Sequence, residues 1–154
     1  MNKAPRQIPR ADQQRGFTLV ELMTVVLIVG ILFTLVVPSY RESVRKAHRS
    51  DGQAVMLELS QFMERFYTEN GRYDQDRAGT AITTVIAGSA LLRAPKEGGA
   101  TNYNLALSNL AQQTFTITAT PTGSQTGDKC GNLTLTQAGV KGVTSATVAV
   151  DKCW

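Results

Sequence analysis

Histidine and cysteine are scarce in this 154-residue chain: there is one histidine, His48, and there are two cysteines, Cys130 and Cys153. That leaves too few ligands of these types for a structural zinc site. No acidic cluster has the spacing of a calcium loop. No glycine-rich phosphate loop and no Ser/His/Asp arrangement appears. His48 sits between Arg45 and Arg49 in a polar stretch and reads as a surface residue, not as a base. Asp74 and Asp76 lie in a loop and read as solvated acids. Internal repeats are lacking too. The composition therefore points away from an enzyme: no catalytic residue, metal or cofactor is expected.

An excess of positive charge is also missing from most of the chain. The formal net charge is +4. Residues 1–16 carry Lys3, Arg6, Arg10 and Arg15 against Asp12, a net of +3. From residue 51 onward eight basic side chains face nine acidic ones. Lys129, Lys141 and Lys152 surround the cysteine-rich end, but the region is near neutral, so nucleic acid is not expected as a partner. The basic N-terminus reads as a topology signal, placing residues 1–16 in the cytoplasm.

Long hydrophobic runs are rare as well, and the single one is distinctive. Phe17 to Val37, "FTLVELMTVVLIVGILFTLVV", holds one charge, Glu21. As a helix it is long enough to span about 30 Å of hydrocarbon. A cleavable secretory signal peptide would carry a shorter apolar core and a small-residue cleavage site, and "VVPSYRESVRK" follows instead. Simple anchoring explains the run but not Glu21, because a carboxylate at membrane depth costs roughly 2.5–3.5 kcal/mol on insertion scales. Either it lies at the headgroup edge and is solvated, or a partner compensates it. Pro38 removes a backbone hydrogen bond and predicts a kink, and Gly30 is a second weak point.

Beyond Pro38, Val44, Ala47, Ala54, Val55, Leu59, Phe62 and Phe66 recur at three- and four-residue spacings, the pattern of a helix with one apolar stripe. Asn70-Gly71 supplies a C-cap. One helix from Phe17 to Asn70 would be about 80 Å long. Residues 71–102 read as loop, with "TAITTVIAGSALL" left open between helix and strand. Three alternating segments follow: Tyr103/Leu105/Leu107, Phe115/Ile117/Ala119, and Leu133/Leu135 before a Gly139 turn. They predict an antiparallel sheet with one wet face. The fold class expected is α+β, a long N-terminal helix packed on a small antiparallel sheet. The two cysteines read as a disulfide in an oxidising compartment, or as two free buried thiols in a reducing one.

The N-terminal stretch "RGFTLVELMTVVLIVGIL…VVPSY" resembles the type IV pilins and the pseudopilins of type II secretion. Gly16 before Phe17, Glu21 as fifth residue after that glycine, the apolar helix and Pro38 are in register with that motif. The C-terminal stretch "FTITATPTGSQTGDKCGNLTLTQAGVKG…DKCW" resembles minor pilins of the PilE type, and residues 71–101 lie outside the resemblance. The resemblance implies a type IV pilin fold with Cys130 paired to Cys153 around a C-terminal loop; a loop of about 24 residues gives such a bridge about 3 kcal/mol in the chain-entropy model. It also implies cleavage by a prepilin peptidase between Gly16 and Phe17, N-methylation of Phe17, and Glu21 as the partner of a neighbouring subunit's new amine. Gly30 and Pro38 then bound a stretch of helix that loses order in a fibre.

The domain division expected is a cleaved leader over 1–16, a membrane and assembly half-helix over 17–40, and a periplasmic globular domain over 41–154. The implied function is a minor pilin: a structural and priming subunit of a type IV pilus serving twitching motility and adhesion. It would be held in the inner membrane and then drawn into an extracellular fibre. Its implied partners are the prepilin peptidase, the major pilin, other minor pilins and the inner-membrane assembly platform. A major pilin, a secretion pseudopilin and a DNA-binding uptake pilin remain as alternatives.

Overall fold

The computed structural model describes residues 16–154, so the leader expected over 1–16 lies outside the described residues except for Gly16. The chain falls into two compact units, one ending at Tyr40 and the other running from Arg41 to Trp154. Helix α1 (Leu19–Asn70, 52 residues) contributes to both. Gly30 and Pro38 both lie inside its helical span.

In the first unit every described residue, Gly16 to Tyr40, is exposed. This part of α1 is the one helix among the described residues that is long and apolar enough to cross a membrane, with a mean hydropathy of 2.7 over its most apolar window. So much contiguous exposed apolar surface needs lipid or other helices to cover it.

The second unit has its own core. On α1 the buried positions are Arg49, Gly52, Val55, Met56, Leu59, Met63 and Phe66. Most are spaced alternately by three and four, so they form one stripe. The stripe differs from the expected one. Val55, Leu59 and Phe66 are in it, but Ala47 and Ala54 face solvent, and Met56 and Met63 are fully buried. The helix stops at Asn70: Gly71 takes a positive φ of 73° and its N–H donates to the Tyr67 carbonyl at 2.7 Å.

The stripe packs on a five-stranded sheet of β1 (Arg93–Ala94), β2 (Tyr103–Ser108), β3 (Thr116–Pro121), β4 (Asn132–Thr136) and β5 (Lys141–Thr144). The strands lie in chain order and all pair antiparallel, a simple meander. Register puts Leu105 opposite Ala119, Ala119 opposite Leu133 and Ile117 opposite Leu135, all buried against the helix. On the other face Thr118 faces Thr134 and Thr116 faces Thr136, β-branched pairs suited to a half-wet pleat. The expected three strands are present. The edge strands β1 and β5 add two more: β1 has only two residues, and Gly142 breaks any alternation in β5. The open segment "TAITTVIAGSALL" forms one helical turn, α2 (Ile82–Val85), and a 3-10 turn at Ala90–Leu92. Ile82 and Ile86 plug the core from it. The result is the expected α+β architecture of a long helix on an antiparallel sheet.

Candidate functional site

Two places combine unusual chemistry with a defined geometry. The first is the start of α1. Gly16, Phe17 and Thr18 precede the helix, and Phe17 is 84% exposed. Thr18 is the N-cap: its Oγ1 accepts from the Glu21 N–H at 3.2 Å, and its carbonyl accepts from the Leu22 N–H at 3.1 Å. Glu21 is the acid of the first turn, where the helix N-terminus favours negative charge. Thr18 and Glu21 thus occupy the two positions of a capping box. The sequence signal for this cap, not drawn on above, is the S/T-x-x-E pattern of "TLVE". Among the described residues the Glu21 carboxylate has no ion pair.

The second place joins α1 to the C-terminal loop. Cys130 and Cys153 form a disulfide across 23 residues with their Cα atoms 5.6 Å apart. Two residues before Cys130, the buried Asp128 receives a bidentate grip from Arg49, with Nε to Oδ2 at 2.9 Å and Nη2 to Oδ1 at 2.8 Å. The Tyr103 hydroxyl and the Gln125 amide also donate to Oδ2, each at 3.0 Å, and the Cys130 N–H donates to Oδ1 at 3.3 Å. Burial alone would raise the Asp128 pKa, but these donors outweigh it and hold it below the usual carboxylate range. Burial pushes the Tyr103 hydroxyl up to about 12. Further ties bind the helix to the loop: Arg45 Nη1 donates to the Gly127 carbonyl and Gln53 Nε2 to the Cys153 carbonyl, both at 2.6 Å.

Arg49, part of the polar stretch around His48 in the sequence, lies within the buried stripe. The available signal was spacing: Arg49, Gly52, Met56, Leu59, Met63 and Phe66 keep the three–four rhythm that Ala47 and Ala54 do not share. Gly52 sits in the seam because Tyr103 lies against it; a Cβ there would stand 3.1 Å from the ring. His48 is half-buried, with Nδ1 enclosed and without a hydrogen-bond partner among the described residues. Asp74 is held by Arg72 through two 2.6 Å contacts, and Asp76 accepts from the Thr80 N–H.

Above this network lies a groove of about 360 Å³ lined by Glu42, Lys46, Arg49, Lys129, Cys130, Val148 and Lys152. Lys129 pairs with Glu42 at 3.4 Å. Lys46 and Lys152 are exposed and have no ion pair among the described residues. The fold thus gathers basic side chains that the chain-wide count disperses. No group of three or more metal-ligating side chains occurs among the described residues.

Residues 38–134 match the family described as type IV minor pilin ComP, DNA uptake sequence receptor. The chain belongs to this type IV minor pilin family. Residues 12–37 of the pilin match the prokaryotic N-terminal methylation motif, and Gly16, Phe17, Glu21 and Gly30 fall inside that range. The family is one of structural pilins.

Among curated relatives, the type II secretion system core protein G of Pectobacterium carotovorum is 36% identical over 67 residues, 44% of this chain and 43% of that protein. The type IV major pilin protein PilE of Neisseria gonorrhoeae is 29% identical over 102 residues, 65% of this chain and 61% of PilE. The pilin therefore matches less than two thirds of the length of these relatives. Among solved structures, a type IV pilin from Shewanella oneidensis is 25% identical with a TM-score of 0.46, covering 71% of this chain and 97% of that one. The Neisseria meningitidis non-core minor pilin PilV is 20% identical with a TM-score of 0.47, covering 70% of this chain and 94% of that one.

Proposed function

We propose that the chain is a fibre subunit that helps prime assembly of a type IV pilus, and so serves twitching motility and adhesion. The observation that carries this reading is the exposed apolar start of α1, with Glu21 in its first turn and the methylation motif around it. On this reading residues 1–16 are a leader, 17–40 the membrane and assembly half-helix, and 41–154 a periplasmic domain. A prepilin peptidase cuts between Gly16 and Phe17 and methylates the Phe17 amine. That amine, on a neighbouring subunit, is the cation Glu21 requires; a matched pair offsets most of the cost of a buried charge, while an unmatched one does not. Gly30 and Pro38 bound the stretch of helix that loosens when subunits pack. The partners are the peptidase, the major pilin, other minor pilins and the inner-membrane platform, in an open head-to-tail assembly. Quantifying the chain in sheared fibres tests the minor role: a trace is expected, and a dominant band would mark a major pilin.

A second reading, DNA capture, is favoured by two observations: the description of the matched family, and the groove that collects Lys46, Lys129 and Lys152. This departs from the expectation drawn from net charge, which averages over side chains that the fold separates. Salt-dependent retention of DNA by the purified chain tests it; no retention at low salt contradicts it.

A further inference from the structure

We propose that the Cys130–Cys153 bridge assembles the basic groove, so that oxidised and reduced chains differ in their hold on a nucleic-acid backbone. This rests on the DNA-capture reading above. Lys129 precedes one half of the disulfide and Lys152 precedes the other. The bridge therefore carries two lysines, distant in the chain, to one groove beside Lys46 of α1. Lys129 is offset by Glu42, which leaves Lys46 and Lys152 as the cations available to a ligand. Arg49 lies beneath them with its charge already matched by Asp128. The matched family's description, a DNA uptake sequence receptor, favours a nucleic-acid backbone over a lipid headgroup as the occupant.

Without the bridge, the segment carrying Lys152 is held by hydrogen bonds, among them the Thr147 N–H and Oγ1 donating to the Lys129 carbonyl at 2.8 and 3.3 Å. Gln53 holds the Cys153 carbonyl, and the Trp154 indole donates to the Gly142 carbonyl at 2.9 Å. Arg49 reaches the Lys152 carbonyl only at 3.5 Å. The bridge forms by thiol–disulfide exchange with an external disulfide oxidant. One cysteine thiolate attacks it to give a mixed disulfide, and the other then displaces the remaining thiol. The oxidant leaves as a dithiol, having taken up the two electrons and the two protons that the cysteines give up.

The test is fluorescence anisotropy of a mixed-sequence DNA duplex titrated with the full chain in detergent micelles, oxidised or reduced with dithiothreitol, across a salt series. Circular dichroism checks the fold. Each phosphate contact adds roughly 0.9 to the slope of log affinity against log salt. The oxidised chain is expected to lose about one unit of slope with Lys152→Gln and about one with Lys46→Gln. Reduction is expected to weaken binding at least about tenfold at low salt and to make Lys152→Gln silent.

A second comparison stays within the oxidised chain, so it does not depend on the reduced one keeping its fold. Lys152→Arg should retain binding, and Lys152→Gln combined with Val150→Lys should not, because position beside the bridge is what counts. Full rescue by the displaced lysine overturns the proposal. If a folded reduced chain binds with unchanged slope, the proposal fails and the DNA-capture reading stands. If the oxidised chain does not bind DNA, both fail. If it holds phosphatidylglycerol vesicles but not DNA, the groove serves a lipid surface and the proposal is overturned.

Discussion

Replacing Arg49 with leucine strands the Asp128 carboxylate among Tyr103, Gln125 and the Cys130 backbone, where the side chain has no exposure to water. Breaking a buried pair from one side costs about 3–5 kcal/mol, so urea unfolding of Arg49→Leu should show a loss of that order. A double change to Arg49→Met and Asp128→Leu removes both charges and should cost markedly less. The same pair gives the pilin a defined acid response. The folded-state pKa of Asp128 lies below its unfolded value of roughly 3.9. Its contribution is therefore complete above that unfolded value and is lost as pH falls through the folded one. Stability measured across the acid range should decline below about pH 4, and the decline should be shallower in Asp128→Asn. Glu21 belongs to this scale too. Glu21→Gln keeps the capping geometry set by Thr18 but removes the charge, and on the assembly reading it should lower incorporation into sheared fibres while leaving membrane levels unchanged.

Among the elements, α1 has the strictest requirement, at its contact with β2. An alanine at Gly52 would gain up to about 1 kcal/mol of helix propensity. Its Cβ would press on Tyr103, whose ring is fully buried and whose hydroxyl is tied to Asp128 and Gln125, so the ring cannot yield cheaply. Overpacking of this kind costs about 1–3 kcal/mol, so thermal melting of Gly52→Ala should show net destabilisation. At the other end of the loop, a Cβ at Gly131 would collide with the Thr144 and Ser145 carbonyls, and its φ of 54° also favours glycine. The strands around Leu105, Ile117 and Leu133 were legible because alternation reports a half-buried pleat. The end of α1 was legible in Asn70-Gly71. Strand β1 was not, being two residues held only by register with Asn104 and Tyr103. Arg49 was missed because a residue's polarity says nothing about a partner 79 positions away. Ala47 and Ala54 were misplaced because small apolar residues are indifferent to burial.

For the whole molecule, an apolar half-helix and a self-contained α+β domain are carried on one chain, and membership of the minor pilin family follows from residues 38–134. The core of the Arg41–Trp154 unit is built entirely from its own residues, with Met56, Leu59 and Met63 each fully removed from water and each contributing about 1.5–3 kcal/mol by transfer. The apolar run from Phe17 to Val37 is exposed throughout and has no comparable partner among the described residues of its own unit. On the proposed reading, Phe17 becomes a new N-terminus whose amine answers Glu21 of a neighbour. Intact-mass spectrometry of the protein extracted from bacterial membranes tests it directly. A chain beginning at methylated Phe17 is expected; a chain still carrying residues 1–16 would rule that processing out.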